Sequence, residues 1–123
     1  MNQKSMYKMK NLKNFISFNS LCGNKSNMFC INNNESEIHR YIKYRICTEL
    51  VKKGYEFFTE VILKSGKRCD IIAFSKEGEG TIIEVINSES EESINQKAID
   101  YPMEFNFYTI NCSEKLEEQL YFL

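Results

Sequence analysis

Residues 68–87 read RCDIIAFSKEGEGTIIEVIN, and the architecture follows from how these residues are read. Ile71-Ile72-Ala73-Phe74 and Ile82-Ile83 with Val85-Ile86 are apolar runs without polar alternation. A strand apolar on both sides needs cover on both faces, so the sheet that holds it should lie between helices. Ser75–Gly80, with two glycines, supplies the turn between the two strands. One carboxylate interrupts each run: Asp70 at the head of the first, Glu84 inside the second. A carboxylate among apolar neighbours is costly unless it has a cation, a donor or an exposed strand end. Two of them on strands joined by a hairpin can converge on one divalent ion. The alternative is that Asp70 closes a turn and Glu84 pairs with a lysine or arginine on a solvated edge.

Upstream, Lys64-Ser65-Gly66-Lys67 is a hairpin turn, and Tyr55–Leu63 is a strand rich in aromatic and β-branched residues. A turn that pairs Lys64 with Lys67 sets Val61 opposite Asp70; a shift of one residue sets Glu60 there instead. Before this strand the pattern changes to a helical one. Asn34 or Ser36 is the N-cap, and Glu35 and Glu37 suit the positive helix end. Ile38, Ile42, Ile46 and Leu50 repeat every four residues, with Tyr41 and Val51 widening the stripe, and Lys52-Lys53-Gly54 is the stop. Downstream, Ser88 or Ser90 caps a helix over 90–101 that Pro102 ends. Phe105–Cys112 reads as a strand and Ser113–Leu123 as a terminal helix with Leu116 and Leu120 on one side. A right-handed crossover sets that last strand parallel to the third. The class is therefore α/β, with a mixed central sheet flanked by helices. Residues 1–34, rich in Asn, Lys and Ser, read as a flexible basic arm with a short helix near Lys10–Phe18; residues 35–123 form the domain.

A chain of 123 residues suits one domain and can bury a core without a metal or disulfide staple. No apolar run reaches the length of a membrane span, and no apolar leader with a small-residue cleavage site stands at the start, so neither a membrane anchor nor a secretory signal is expected. The five cysteines include no C-x-x-C pair, which points to reduced thiols in a cytoplasmic protein rather than to a disulfide framework or a zinc site. The net charge of −1 argues against indiscriminate polyanion binding. The charge is unevenly spread, however: +5 over residues 1–34, +3 over 35–68 and −9 over 69–123. A basic half beside an acidic half suits a nucleic-acid surface next to a metal site; scattered solvated charge explains the counts equally well.

Arg68-Cys69-Asp70-Ile71-Ile72 followed by Ile82-Ile83-Glu84-Val85, within the order helix, three strands, helix, strand, resembles the PD-(D/E)XK nuclease superfamily. The resemblance covers residues 36–112. It implies a restriction-endonuclease-like αβββαβ core and hydrolysis of DNA phosphodiesters with Mg²⁺ or Mn²⁺. Asp70 and Glu84 would hold the metal, with Glu60 from the first strand and Glu37 from the first helix as further ligands. One residue departs from the pattern: the lysine expected two positions after Glu84 is Ile86, followed by Asn87. Some relatives carry that lysine on the following helix, where this chain has Lys97 in Gln96-Lys97-Ala98-Ile99-Asp100-Tyr101. Lys97 and Tyr101 form a K-x-x-x-Y pattern similar to the Q-x-x-x-Y of RecB-like relatives, and residues four apart share a helix face. The catalytic set implied is Asp70, Glu84 and Lys97. The alternative is a fold that has lost catalysis and serves as a nucleic-acid-binding or assembly module. His39 and Lys43 share a face in an H-x-x-x-K pattern similar to that of some relatives. With Lys64, Lys67, Arg68 and Tyr101 they are candidates for nucleic-acid contact; ordinary surface and packing roles account for each of them as well. Junction-resolving members are dimers, and Leu116, Leu120, Tyr121 and Phe122 offer a homodimer interface unless they close the core.

Overall fold

In the computed structural model, which describes residues 2–17, 25–87 and 90–123, Ser36 accepts a hydrogen bond from the His39 N–H and starts helix α2 (Glu37–Lys52). Gly54, at φ +77°, lets the chain turn back after it. Strands β2 (Glu56–Leu63), β3 (Arg68–Phe74) and β4 (Gly80–Ile86) then form an antiparallel meander. Ser90 caps α3 (Glu91–Ile99) in the same way as Ser36 caps α2, by accepting from the Ser93 N–H. Strand β5 (Asn106–Asn111) returns parallel to β4, and α4 (Leu116–Tyr121) follows. The expected elements are thus present within a few residues of their expected ends, and the sheet is mixed and flanked by helices.

In the region read as a basic arm, residues 2–17 hold more than the short helix expected near Lys10–Phe18; Phe18 lies outside the described residues. Residues 3–13 form α1 (Gln3–Lys13), capped by Asn2, and Ile16–Ser17 form β1, which pairs antiparallel with Ile62 and Leu63 at the edge of β2. The sheet therefore has five strands in the order β1-β2-β3-β4-β5. Met9, Leu12 and Ile16 are buried against it. Their apolar spacing was too sparse to stand out among lysines and asparagines, and the sheet face supplies what the local sequence lacks. The thiols differ too: Cys47, Cys69 and Cys112 are free, but Cys30 is disulfide-bonded.

Two apolar clusters sit on opposite faces. One joins α1 and Phe105 to Phe58, Val61, Leu63, Cys69, Ile72, Phe74 and Ile82. The other joins α2 and α4 to Phe57, Ile71, Ala73, Ile83, Val85 and Ile110. Of the expected α2 stripe, Ile42, Ile46 and Leu50 are buried, while Ile38, Tyr41 and Val51 are exposed. Leu120 is buried and Leu116 packs beside it, so these two close the core; Tyr121 and Phe122 remain exposed. Among the described residues no helix is long and apolar enough to cross a membrane.

Strand side chains alternate between faces, yet the alternation breaks once in β2 and once in β3. Phe58 and Val61 share a face, as do Cys69 and Ile72, although each pair is three residues apart. The register places Thr59 opposite Ile71 and Val61 opposite Cys69, so the break falls at Glu60 and Asp70, which stand across from each other. Glu60 has φ +50°, a left-handed conformation in the middle of a strand, which is strained for a residue other than glycine. The hairpin reaches this register through Lys64-Ser65-Gly66, with the Leu63 N–H bonded to the Lys67 carbonyl. The one-residue shift relative to a Lys64–Lys67 pairing is what brings Glu60, rather than Val61, opposite Asp70.

Candidate functional site

The β3–β4 ladder is regular from Phe74–Gly80 to Ile71–Ile83 and stops there. At the next position Asp70 and Glu84 take over the backbone bonding. The Asp70 N–H donates to Glu84 Oε2 at 3.1 Å, and the Val85 N–H donates to Asp70 Oδ2 at 2.9 Å. The two carboxylates lie in the gap where the strands part, each tied to the other's strand. Asp70 is approached from the α2 side, where His39 Nε2 lies 3.5 Å from its Oδ1. Glu84 is approached from the α3 side, where the Tyr101 hydroxyl donates to Oε1. That hydroxyl also lies 3.2 Å from the Arg68 carbonyl. Tyr101 stacks at a tilt on Phe107, which holds the ring over Glu84.

The electrostatics of the pair are lopsided. Burial and the negative charge of Asp70 push Glu84 up to about 8, so near neutral pH it retains a proton. Burial also acts to raise Asp70, but interaction with His39, hydrogen bonding with Glu84 and the Val85 N–H outweigh it, and Asp70 is held below the usual carboxylate range. His39 is raised chiefly by Asp70, against the effect of burial, with Glu35 adding to the rise. Burial and the hydrogen bond to Glu84 both drive the Tyr101 phenol upward, so it stays a donor.

A second acidic group lies beside the first. Lys43 Nζ is 3.1 Å from both oxygens of Glu35 and 3.0 Å from Glu60 Oε1. The lysine side chain is fully buried, and Phe29 covers the amine at 5.3 Å from the ring centre. Glu35 also accepts from the Asn32 N–H and lies 3.5 Å from His39 Nε2. Glu60 Oε2 is buried with no hydrogen-bond partner. The positive φ of Glu60 turns its side chain toward α2, where Lys43 meets it.

The Asp70–Glu84 pair and Glu60, but not Glu35 or Lys43, line an open cavity of about 480 Å³. Asp70, Glu84, Glu60 and His39 form one part of its lining, and Lys67, Arg68, Lys97 and Tyr101 another. Lys67 is paired with Asp100 at 3.2 Å.

Of the residues singled out in the sequence, the fold brings Asp70, Glu84, Glu60, His39, Lys97, Tyr101, Lys67 and Arg68 to this cavity. Three others are placed differently. Glu37 is exposed in the first turn of α2 and borders a separate hollow with Phe29, Arg40, Tyr41 and Tyr44. Lys43 cannot reach a polyanion, because its amine is enclosed by Glu35, Glu60 and Phe29. Lys64 is exposed at the hairpin turn, outside the cavity lining. Glu35 was overlooked as a site residue. The spacing Glu35, His39, Lys43 was the available signal, since residues four apart stack along one helix face. Ile86, where the pattern called for lysine, is buried in the sheet.

No family model matches the chain, and neither a curated protein nor a solved structure matches it. Among the described residues no three His, Cys, Asp or Glu side chains form a metal-holding group. Asp70 and Glu84 nevertheless fit a hard divalent ion. Mg²⁺ needs only one or two carboxylates from a protein and keeps waters as its other ligands. Glu84, protonated beside an ionised Asp70, is a carboxyl that a nearby cation would ionise.

Proposed function

We propose that the protein is a metal-dependent nuclease with a restriction-endonuclease-like αβββαβ core formed by α2, β2, β3, β4, α3 and β5, acting on DNA. One observation carries the reading: Asp70 and Glu84 meet where the β3–β4 ladder opens, inside a cavity that also holds Lys97, Lys67 and Arg68. Asp70 and Glu84 are the residues to hold Mg²⁺ or Mn²⁺. When bound, the ion would supply an activated water and neutralise charge on the phosphate. Tyr101 keeps Glu84 oriented through its hydroxyl, and His39 keeps Asp70 ionised. Lys97, in the cavity lining, would donate to a phosphate oxygen or to the attacking water, and Arg68 and Lys67 would contact the nucleic-acid backbone.

A second reading is favoured by Ile86. An apolar side chain buried at that position leaves β4 without the lysine of the pattern, so the fold could serve as a binding module that cuts nothing. The two are separated by incubating duplex, branched and single-stranded DNA with the full chain in Mg²⁺ and in Mn²⁺. Cleavage that disappears in Asp70→Ala and in Lys97→Ala establishes the nuclease. DNA binding without cleavage in either metal establishes the module. Absence of both binding and cleavage overturns both readings.

A further inference from the structure

The Glu35–Lys43–Glu60 group has the form of a cation site with the cation already supplied by the chain. A lysine ammonium has three donors, and here three carboxylate oxygens stand 3.0–3.1 Å from it. It has no donor left for a phosphate or a water, and Phe29 closes the side away from the carboxylates. Glu60 connects this group to the cavity, because Oε1 goes to Lys43 while the unpartnered Oε2 belongs to a residue of the cavity lining. Sites that use two divalent ions hold them about 3.5–4 Å apart on shared carboxylates. Asp70, Glu84 and Glu60 line this cavity and Glu35 does not, but the pair Glu35 and Glu60 already holds a cation, the Lys43 ammonium.

We propose that the Lys43 ammonium is a built-in cation that occupies the second half of this acidic floor, so that the cavity takes up one divalent ion, at Asp70 and Glu84, and not two. The inference rests on the reading of Asp70 and Glu84 as metal ligands. Lys43 is on this account a positioning residue. It holds Glu35 and Glu60 away from the metal, touches no substrate, and sets the number of ions by charge and by filling space. The backbone strain at Glu60 fits this role, because the left-handed conformation is what delivers its carboxylate to the amine.

The test counts Mn²⁺ bound per folded full-length chain, by titration calorimetry and electron paramagnetic resonance, with no substrate present. The expected result is one ion in the wild type, one in Lys43→Arg and two in Lys43→Met, whose thermal midpoint rises more with Mn²⁺ than that of the wild type. Two ions in the wild type, or a single ion in folded Lys43→Met, would overturn the inference and leave the reading of Asp70 and Glu84 standing. Binding of no ion by either protein overturns both. If Lys43→Met does not fold, Glu60→Gln decides. An affinity within about threefold of wild type supports a Glu60 engaged by Lys43, and a fall of about tenfold or more makes Glu60 a metal ligand and refutes the proposal.

Discussion

Two pairs of carboxylates lie at or beside one cavity and are handled in opposite ways. Glu35 and Glu60, of which only Glu60 lines the cavity, enclose a buried lysine, one positive charge against two carboxylates. Asp70 and Glu84 have instead an imidazole on one side, a phenol on the other and two backbone N–H groups between the strands. Burial and the charge of Asp70 push Glu84 up to about 8. The first pair has its cation from the chain; in the second, Glu84 keeps a proton near neutral pH.

The largest expected effect tests the second pair. Asp70→Asn removes the ionised carboxylate while keeping its shape and one acceptor oxygen, and on the proposed nuclease reading should abolish metal-dependent DNA cleavage, a loss of about a thousandfold or more. Circular dichroism should show an unchanged fold, and cleavage at wild-type rate would remove the contrast between the pairs. Next comes the first pair. Lys43→Met leaves two buried acids without their cation and should cost about 3–5 kcal/mol in urea denaturation without added metal. A loss below about 1 kcal/mol would mean that water or rearrangement satisfies Glu35 and Glu60 equally well.

A pH series sharpens the comparison. Between about 4.5 and about 8 the folded chain keeps a proton on Glu84 that the unfolded chain releases. Stability therefore falls as pH rises through that window. Glu84→Gln has no such proton, so its stability should gain on that of the wild type between pH 5 and pH 8, by roughly 3–4 kcal/mol at 1.36 kcal/mol per pKa unit. His39 acts in the same direction. Its raised value contributes stability below about 6.5 that is lost as pH rises through its folded pKa; this slope should persist in Glu84→Gln. Parallel wild-type and Glu84→Gln curves would mean that Glu84 is already ionised. The smallest effects are controls at the start of α2. Ser36→Ala should cost about 1 kcal/mol through loss of the cap. Glu37→Gln should change Mn²⁺ affinity by less than about twofold, since its side chain lies on another surface.

Much of this could be read locally. Ser36 and Gly54 bracket α2, and Ser90 starts α3, because caps and left-handed turns depend on single residues. The apolar runs of β3 and β4 announced a sheet covered on both sides, and the two acids interrupting them are the pair that meets in the gap. The K-x-x-x-Y spacing singled out Tyr101, but Tyr101 lies past the end of α3 and reaches Glu84 from the bend that follows, not from the helix face it was expected to share with Lys97. The folding of α1 and β1 was hidden, because Met9, Leu12 and Ile16 gain their burial from Phe58, Phe74 and Phe105, far along the chain. The burial of Lys43 was hidden for the same reason: on a helix face it looks like any exposed lysine until Glu60 arrives from another strand.

The sequence by itself determined the order of helices and strands from α2 onward, the caps of α2 and α3, and which two acids would stand inside apolar strands. These depend on backbone preferences and on the period of apolar residues within a few positions. Only the tertiary structure decided that β2 and β3 change phase together at Glu60 and Asp70, and that one acid pair encloses a buried lysine while the other is left to share a proton. Those outcomes depend on strand register and on charges brought together from distant parts of the chain, and a single-residue change in register would have exchanged the neighbours of every acid involved.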